Sequence, residues 1–159
     1  MKAKNWKKLS GENIPDISEA VETTILKELS QGNDIRICIG TDSQIHGTKA
    51  EFATAIVFIR NKRGGFFFVN KEQLNWNESI RMRMLEEVTR SVTTAYELCE
   101  LFDRYDIPME VHADINTDPQ FMSNVALKEA MGYILGMGFK FKAKPEAFAS
   151  SCCANKVVQ

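Results

Sequence analysis

Two aspartates stand in matching settings in this chain of 159 residues. Asp42 follows an alternating β-branched run in Ile39-Gly40-Thr41-Asp42-Ser43-Gln44, and Asp114 follows another in Val111-His112-Ala113-Asp114-Ile115-Asn116. One carboxylate after a strand is ordinary turn chemistry. Its recurrence after a second strand asks for more, because a scaffold has no evident use for two like charges brought together. Carboxylate oxygens are the preferred ligands of hard divalent cations such as Mg2+ and Mn2+. A phosphodiester attacked by water needs its charge neutralised, a hydroxide supplied and its leaving oxygen stabilised. Two such cations roughly 3.5–4 Å apart can do all three.

The elements that must hold these acids are legible from periodicity. Pro15-Asp16-Ile17-Ser18 starts a helix whose apolar positions, Ile17, Val21, Ile25, Leu26 and Leu29, recur at helical spacing until Gly32-Asn33. Ile35 to Gly40 reads as a strand that stops at Asp42. Phe52 to Ile59 is a second strand, Asn61 to Gly65 a turn, and Phe66 to Asn70 a third. The period then lengthens to about 3.6 as Leu85, Val88, Val92, Ala95, Tyr96 and Cys99 form one apolar stripe. Pro108 to Ala113 is a fourth strand, and Thr117-Asp118-Pro119 caps a helix expected from Gln120 to Leu135. Phe139 to Ala143 is a fifth strand, with Lys140, Lys142 and Lys144 alternating along it, and Pro145-Glu146 opens a last helix towards Val158.

The expected order is one helix (residues 1–33, a helical extension) and then β-β-β-α-β-α-β-α over residues 34–159, in one α/β domain. Three hairpin-linked strands followed by right-handed parallel crossovers give a mixed five-stranded sheet covered by helices. With its acids, this order resembles the ribonuclease H-like superfamily, and more closely a small bacterial group of uncharacterised ribonuclease H-like proteins, the YkuK type. The resemblance covers roughly Asp34 to Gln159.

That resemblance implies a metal-dependent nuclease acting on RNA, an RNA–DNA hybrid or structured DNA, with Mg2+ or Mn2+ as cofactor. It puts an Asp on the first sheet strand (Asp42), a Glu on the first core helix, an Asp at the end of the fourth strand (Asp114), and a further carboxylate near the last helix. Asp42 would bridge two metals, with the Glu and Asp114 flanking. The helix offers Glu86 and Glu87. Taking Glu87 leaves Val88, Ser91, Val92 and Ala95 to lie on the sheet behind it, whereas Glu86 leaves Glu87, Arg90, Ser91 and Thr94, so Glu87 is chosen. For the fourth ligand the sequence has the amide Asn155 in Ser151-Cys152-Cys153-Ala154-Asn155-Lys156, with Glu146 as the substitute carboxylate, although an acid at a helix start is also plain dipole complementation. Ser43, Asn116, Asn155 and Lys156 are the candidates for touching substrate. Asn155 also speaks for the alternative, a ribonuclease H-like domain that binds nucleic acid or protein without cutting.

Other residues have plainer readings. His112 alternates with Asp114 and suits a satisfied, partly buried imidazole better than a proton shuttle. His46 falls in a loop. Arg81, Arg83 and Arg90 on the long helix could grip a polyanion, and the lysines of the fifth strand also suit a protected sheet edge. Phe66-Phe67-Phe68 and Trp76 read as strand packing before base stacking.

Lys plus Arg number 20 against 21 Asp plus Glu, so no broad positive field surrounds the molecule and any nucleic-acid grip must be local. No apolar stretch approaches the roughly 20 residues of a membrane span, and no signal-type apolar run follows the basic Met1–Leu9, so a cytoplasmic protein is expected. Cys38, Cys99, Cys152 and Cys153 lack disulfide-framework or zinc-ribbon spacing and are expected to stay reduced. Gly64-Gly65, without a following Lys-Ser or Lys-Thr, offers no phosphate loop for a phosphotransferase.

Overall fold

The computed structural model describes residues 4–116, 127–144 and 146–158. Two short strands, β1 (Trp6–Lys8) and β2 (Asn13–Ile14), precede helix α1 (Ile17–Ser30). Asp16 caps α1 by accepting from the Glu19 N–H at 3.1 Å. Three strands of twelve residues each follow: β3 (Ile35–His46), β4 (Lys49–Arg60) and β5 (Gly64–Asn75). The long helix α2 (Ile80–Arg104) leads to β6 (Met109–Asn116), α3 (Leu127–Gly136) and β7 (Lys140–Lys144). A π-helical turn, Ala149–Ala154, runs into the short α4 (Asn155–Val158).

All seven strands form one sheet in the order β2-β1-β5-β4-β3-β6-β7, antiparallel from β3 to β5 and parallel from β3 through β6 to β7. Strand alternation divides its faces. Ile37, Ile39, Ile56, Phe58 and Val111 join the larger core beneath α1, α2 and α3. Their neighbours Cys38, Ala55 and Val57 pack with Ala149, Ala154 and Val158 of the C-terminal segment. Gly40 makes that second layer possible, since a Cβ there would lie 2.5 Å from the Ser150 backbone nitrogen and 2.7 Å from the Ala149 carbonyl carbon.

Three expectations are corrected. The sheet has seven strands rather than five, because residues expected to be only a helical extension also supply β1 and β2. Trp6 pairs with Asn70 and Ile14, so β1 hydrogen-bonds along β5 and buries its indole. Three residues, two of them lysine, are too few to show a period. The strand expected to stop at Asp42 continues to His46, because β4 starts at Lys49 and gives every polar residue of that stretch an antiparallel partner, Asp42 with Ala53 and Ser43 with Phe52 included. Asp42 is therefore a mid-strand residue. The last helix opens as a π-helical turn at Ala149, later than Pro145-Glu146 suggested. The start of the helix expected from Gln120, with its caps Thr117, Asp118 and Pro119, lies outside the described residues. The lysine-bearing strand β7 is a sheet edge.

Candidate functional site

Register brings the two aspartates together. In the parallel ladder, Cys38 pairs with Glu110, Gly40 with His112 and Thr41 with Ala113, so Asp42 and Asp114 follow the last pair in step on neighbouring strands. Both lie on the face that the C-terminal segment covers. Asn155, the first residue of α4, donates its Nδ2–H to Asp42 Oδ2 at 2.5 Å. Lys144 Nζ lies 2.9 Å from Asp114 Oδ1.

The third acid comes from α2. Thr41 and Ser43 point to that side of the sheet, where the Thr41 hydroxyl is 2.7 Å from Ser91 and 2.9 Å from Thr54, and the Ser43 hydroxyl donates to Glu87 Oε1. Of the adjacent glutamates, Glu87 is the buried one, 3% exposed, while Glu86 accepts from Arg90 at 2.9 Å.

Electrostatics couple the three acids. Burial raises the Glu87 carboxyl well above the usual carboxylate range, and the charges of Asp42 and Asp114 push it further, against the Ser43 hydrogen bond and the Arg83 charge. Asp42, 6% exposed, is also raised, first by burial and then by Asp114, while Asn155, the Ser43 backbone and Lys144 oppose the rise. Buried like charges of this kind bind protons readily, and a divalent cation relieves the same repulsion. Carboxylate oxygens are the donors that a hard ion such as Mg2+ or Mn2+ prefers, but among the described residues the ligand atoms that converge within 4.8 Å are those of Cys38, Glu110 and His112, not those of the three acids.

A second cluster of ligand-capable atoms lies on the same face. One ligand atom from each of Cys38, Glu110 and His112 falls within 4.8 Å of the others. Its hydrogen bonds argue for a network rather than an ion site. His112 Nδ1 accepts the Ala149 N–H at 3.1 Å, which uses the one lone pair of a neutral imidazole and assigns the ring proton to Nε2. Nε2 lies 2.9 Å from Glu110 Oε1, where Arg36 (2.9 Å) and the Cys38 thiol (3.5 Å) also donate. Burial pushes the Cys38 thiol up and the His112 imidazole down, so both stay uncharged. Burial would raise Glu110 as well, but its donors His112, Cys38 and Arg36 overcome that and hold it low.

Glu146 is exposed, 3.6 Å from Lys142. Lys156 is exposed on α4. Asn116 closes β6, its backbone in register with Lys144. Sequence reasoning passed over Lys144 as a partner of Asp114, although its alternation along β7 was visible. It also missed the hydroxyl chain of Thr54, Thr41 and Ser91, which needs knowledge of which strand face meets α2.

An antiparallel meander continued by parallel strands, with acids from its first strand, from the helix after the meander and from the next strand, defines the ribonuclease H-like class. The model of the Ribonuclease H-like family matches residues 16–159, and this chain belongs to that family. It is also similar to the uncharacterized protein YkuK of Bacillus subtilis (strain 168), with 24% identity over 155 residues covering 89% of this chain and 88% of that protein.

Proposed function

We propose that this chain is a metal-dependent nuclease that hydrolyses phosphodiester bonds in RNA, RNA–DNA hybrid or structured DNA. One observation carries the reading. Asp42, Glu87 and Asp114 come from three elements and press their charges on one another, two of them buried. Membership of the ribonuclease H-like family is consistent with work on nucleic acid. Residues 34–158 would form the core that carries the site, with the segment before them closing the β5 edge.

Mg2+ or Mn2+, when bound, would supply charge neutralisation and an activated water. Asp42, Glu87 and Asp114 would hold it. Ser43 orients the Glu87 carboxylate through its hydroxyl, and the Asn155 amide and the Ser43 backbone hold the Asp42 carboxylate in place. The layer of Ala149, Ala154 and Val158 excludes water from the sheet behind the acids.

A non-cutting binding domain is the second reading. Its support is that Asp42 and Asp114 each have a polar partner already, Asn155 and Lys144. Calorimetric titration of Mn2+ into the wild type and Asp42→Asn, with cleavage of labelled RNA, hybrid and branched DNA in parallel, separates the two. Metal binding and cleavage that both vanish in Asp42→Asn support the nuclease. A wild type that binds no Mn2+ and cuts nothing leaves the binding domain.

A further inference from the structure

A small polar cavity lies beside the acids, between the sheet and α2. Cross-strand partners share a face of a sheet. Thr41 pairs with Thr54 and Thr54 with Asn70, so these three side chains form one row on the α2 side, and Ser43, Phe52 and Glu72 form the next. Thr54, Asn70 and Glu72 line a cavity of about 160 Å3, which α2 walls with Glu86, Arg90 and Thr94. Neighbouring strands lie about 4.8 Å apart. The floor therefore begins one strand away from β3, which carries Asp42, and Glu86 is the chain neighbour of Glu87.

Asn70 points to a ligand. It is 7% exposed, and its Oδ1 accepts the Asn5 N–H at 2.8 Å. That bond fixes which way the amide is turned and leaves Nδ2 as a donor on the cavity side. Nδ2 makes no hydrogen bond among the described residues, and a buried amide donor left unmade is costly. Acceptors are present as well. Arg90 takes Glu72 Oε2 at 2.6 Å and Glu86 Oε1 at 2.9 Å, and the second oxygen of each carboxylate has no hydrogen bond among the described residues. The Thr54 hydroxyl, 2.9 Å from Thr41, can give or take.

Charge and size narrow the ligand. The charged lining residues, Lys4 and Arg90 against Glu72 and Glu86, balance, so the cavity suits a neutral group better than a phosphate. A cavity of about 150 Å3 admits one six-membered ring, which leaves no room for a fused purine. A pyrimidine base supplies what the walls lack: a ring carbonyl for Asn70 Nδ2 and an N–H for Glu72 or Glu86.

We propose that this cavity is a base pocket, taking one unpaired pyrimidine of the strand whose backbone meets Asp42, Glu87 and Asp114. The proposal rests on reading those acids as a phosphodiester site. It makes the substrate a strand with an unpaired nucleotide rather than a perfect duplex, because a base held in a duplex cannot turn into a cavity of this depth.

The test is equilibrium binding of fluorescein-labelled oligouridylate, oligoadenylate and an abasic strand of equal length, followed by anisotropy in Ca2+. The wild type should bind oligouridylate about tenfold more tightly than the other two. Asn70→Leu keeps the side-chain volume and removes the donor. Thr93→Leu narrows the mouth from an exposed position on α2 and leaves every hydrogen bond of the floor in place. Both variants should bind oligouridylate no better than oligoadenylate, with oligoadenylate affinity unchanged, and melting curves without nucleic acid should show Thr93→Leu folded as the wild type. Equal binding of the three strands by the wild type would mean a cavity filled by water only; it would overturn the pocket and leave the reading of the acids standing. A uridylate preference that survives in Thr93→Leu would place the base elsewhere and overturn the proposal too. A wild type that binds none of the strands would overturn both the pocket and the nuclease.

Discussion

Asn155 and Asp42 are 113 residues apart in sequence and are joined by a 2.5 Å hydrogen bond that ties the C-terminal helix to the centre of the sheet. The bond runs from amide to carboxylate, so it stabilises the ionised form of Asp42, against the burial and the neighbouring Asp114 charge that favour protonation. Asn155 thus supports the charge of an acid while adding none of its own.

Asn155→Asp exchanges that donor for another carboxylate at hydrogen-bond distance from Asp42. Without metal the variant should melt lower than wild type, because a lost hydrogen bond is joined by a new like-charge contact. With Mn2+ the order should reverse, with affinity rising about tenfold, since the added oxygen ligand is charged. Melting curves in EDTA and in Mn2+, with calorimetric titration, read both effects. Equal melting shifts in the two conditions would show that residue 155 has no access to the ion.

Glu87→Gln removes a buried charge while keeping an acceptor for the Ser43 hydroxyl. In EDTA it should melt higher than wild type, by about 2–4 °C for each kcal/mol released in a chain of this size. The pH dependence has a definite sign. The folded state holds the Glu87 pKa above its unfolded value, so the contribution is fully present below the ordinary carboxylate range and is lost as pH rises through the raised value. The gap between variant and wild type should therefore widen from acid towards neutral pH. Added Mn2+ should stabilise the wild type and not the variant.

Lys144→Met tests the cation that faces Asp114. The pair is 2.9 Å apart with the lysine side chain 39% exposed, so its direct effect on stability should be small, about 0–1 kcal/mol. For a divalent ion, Lys144 is a competitor. Its removal should raise Mn2+ affinity about two- to fivefold by calorimetry. A loss of affinity would mean instead that Lys144 holds Asp114 in the ligating position.

The approach of Asp42 to Asp114 was legible because parallel neighbours keep their register and both follow strand-like runs. The burial of Glu87 was legible because Val88, Ser91, Val92 and Ala95 behind it suit a sheet-facing stripe. What was not legible depends on contacts made from outside a strand's own period. The continuation of β3 to His46 is imposed by β4, and the polar Thr41, Asp42, Ser43 and Gln44 read locally as a turn. β1 is three residues long, and its pairing with β5 and β2 makes it a strand. The partners that separate Arg81, Arg83 and Arg90 come from Glu129, Glu72 and Glu86, and of these only Glu86 lies at helical spacing.

Gly40→Ala asks whether the C-terminal layer positions the site. The added methyl would meet backbone, the Ser150 nitrogen at 2.5 Å and the Ala149 carbonyl carbon at 2.7 Å, so no side-chain rotation can make room. The π-helical turn must move, and with it Asn155 and the Ala149 N–H that His112 accepts. Such overpacking costs about 1–3 kcal/mol. Mn2+ affinity should fall as well, because the strand that Gly40 belongs to carries Asp42 two residues on. A variant that melts lower but titrates Mn2+ like the wild type would show that the acids bind metal without help from the C-terminal segment, leaving Asn155 a purely structural partner of Asp42.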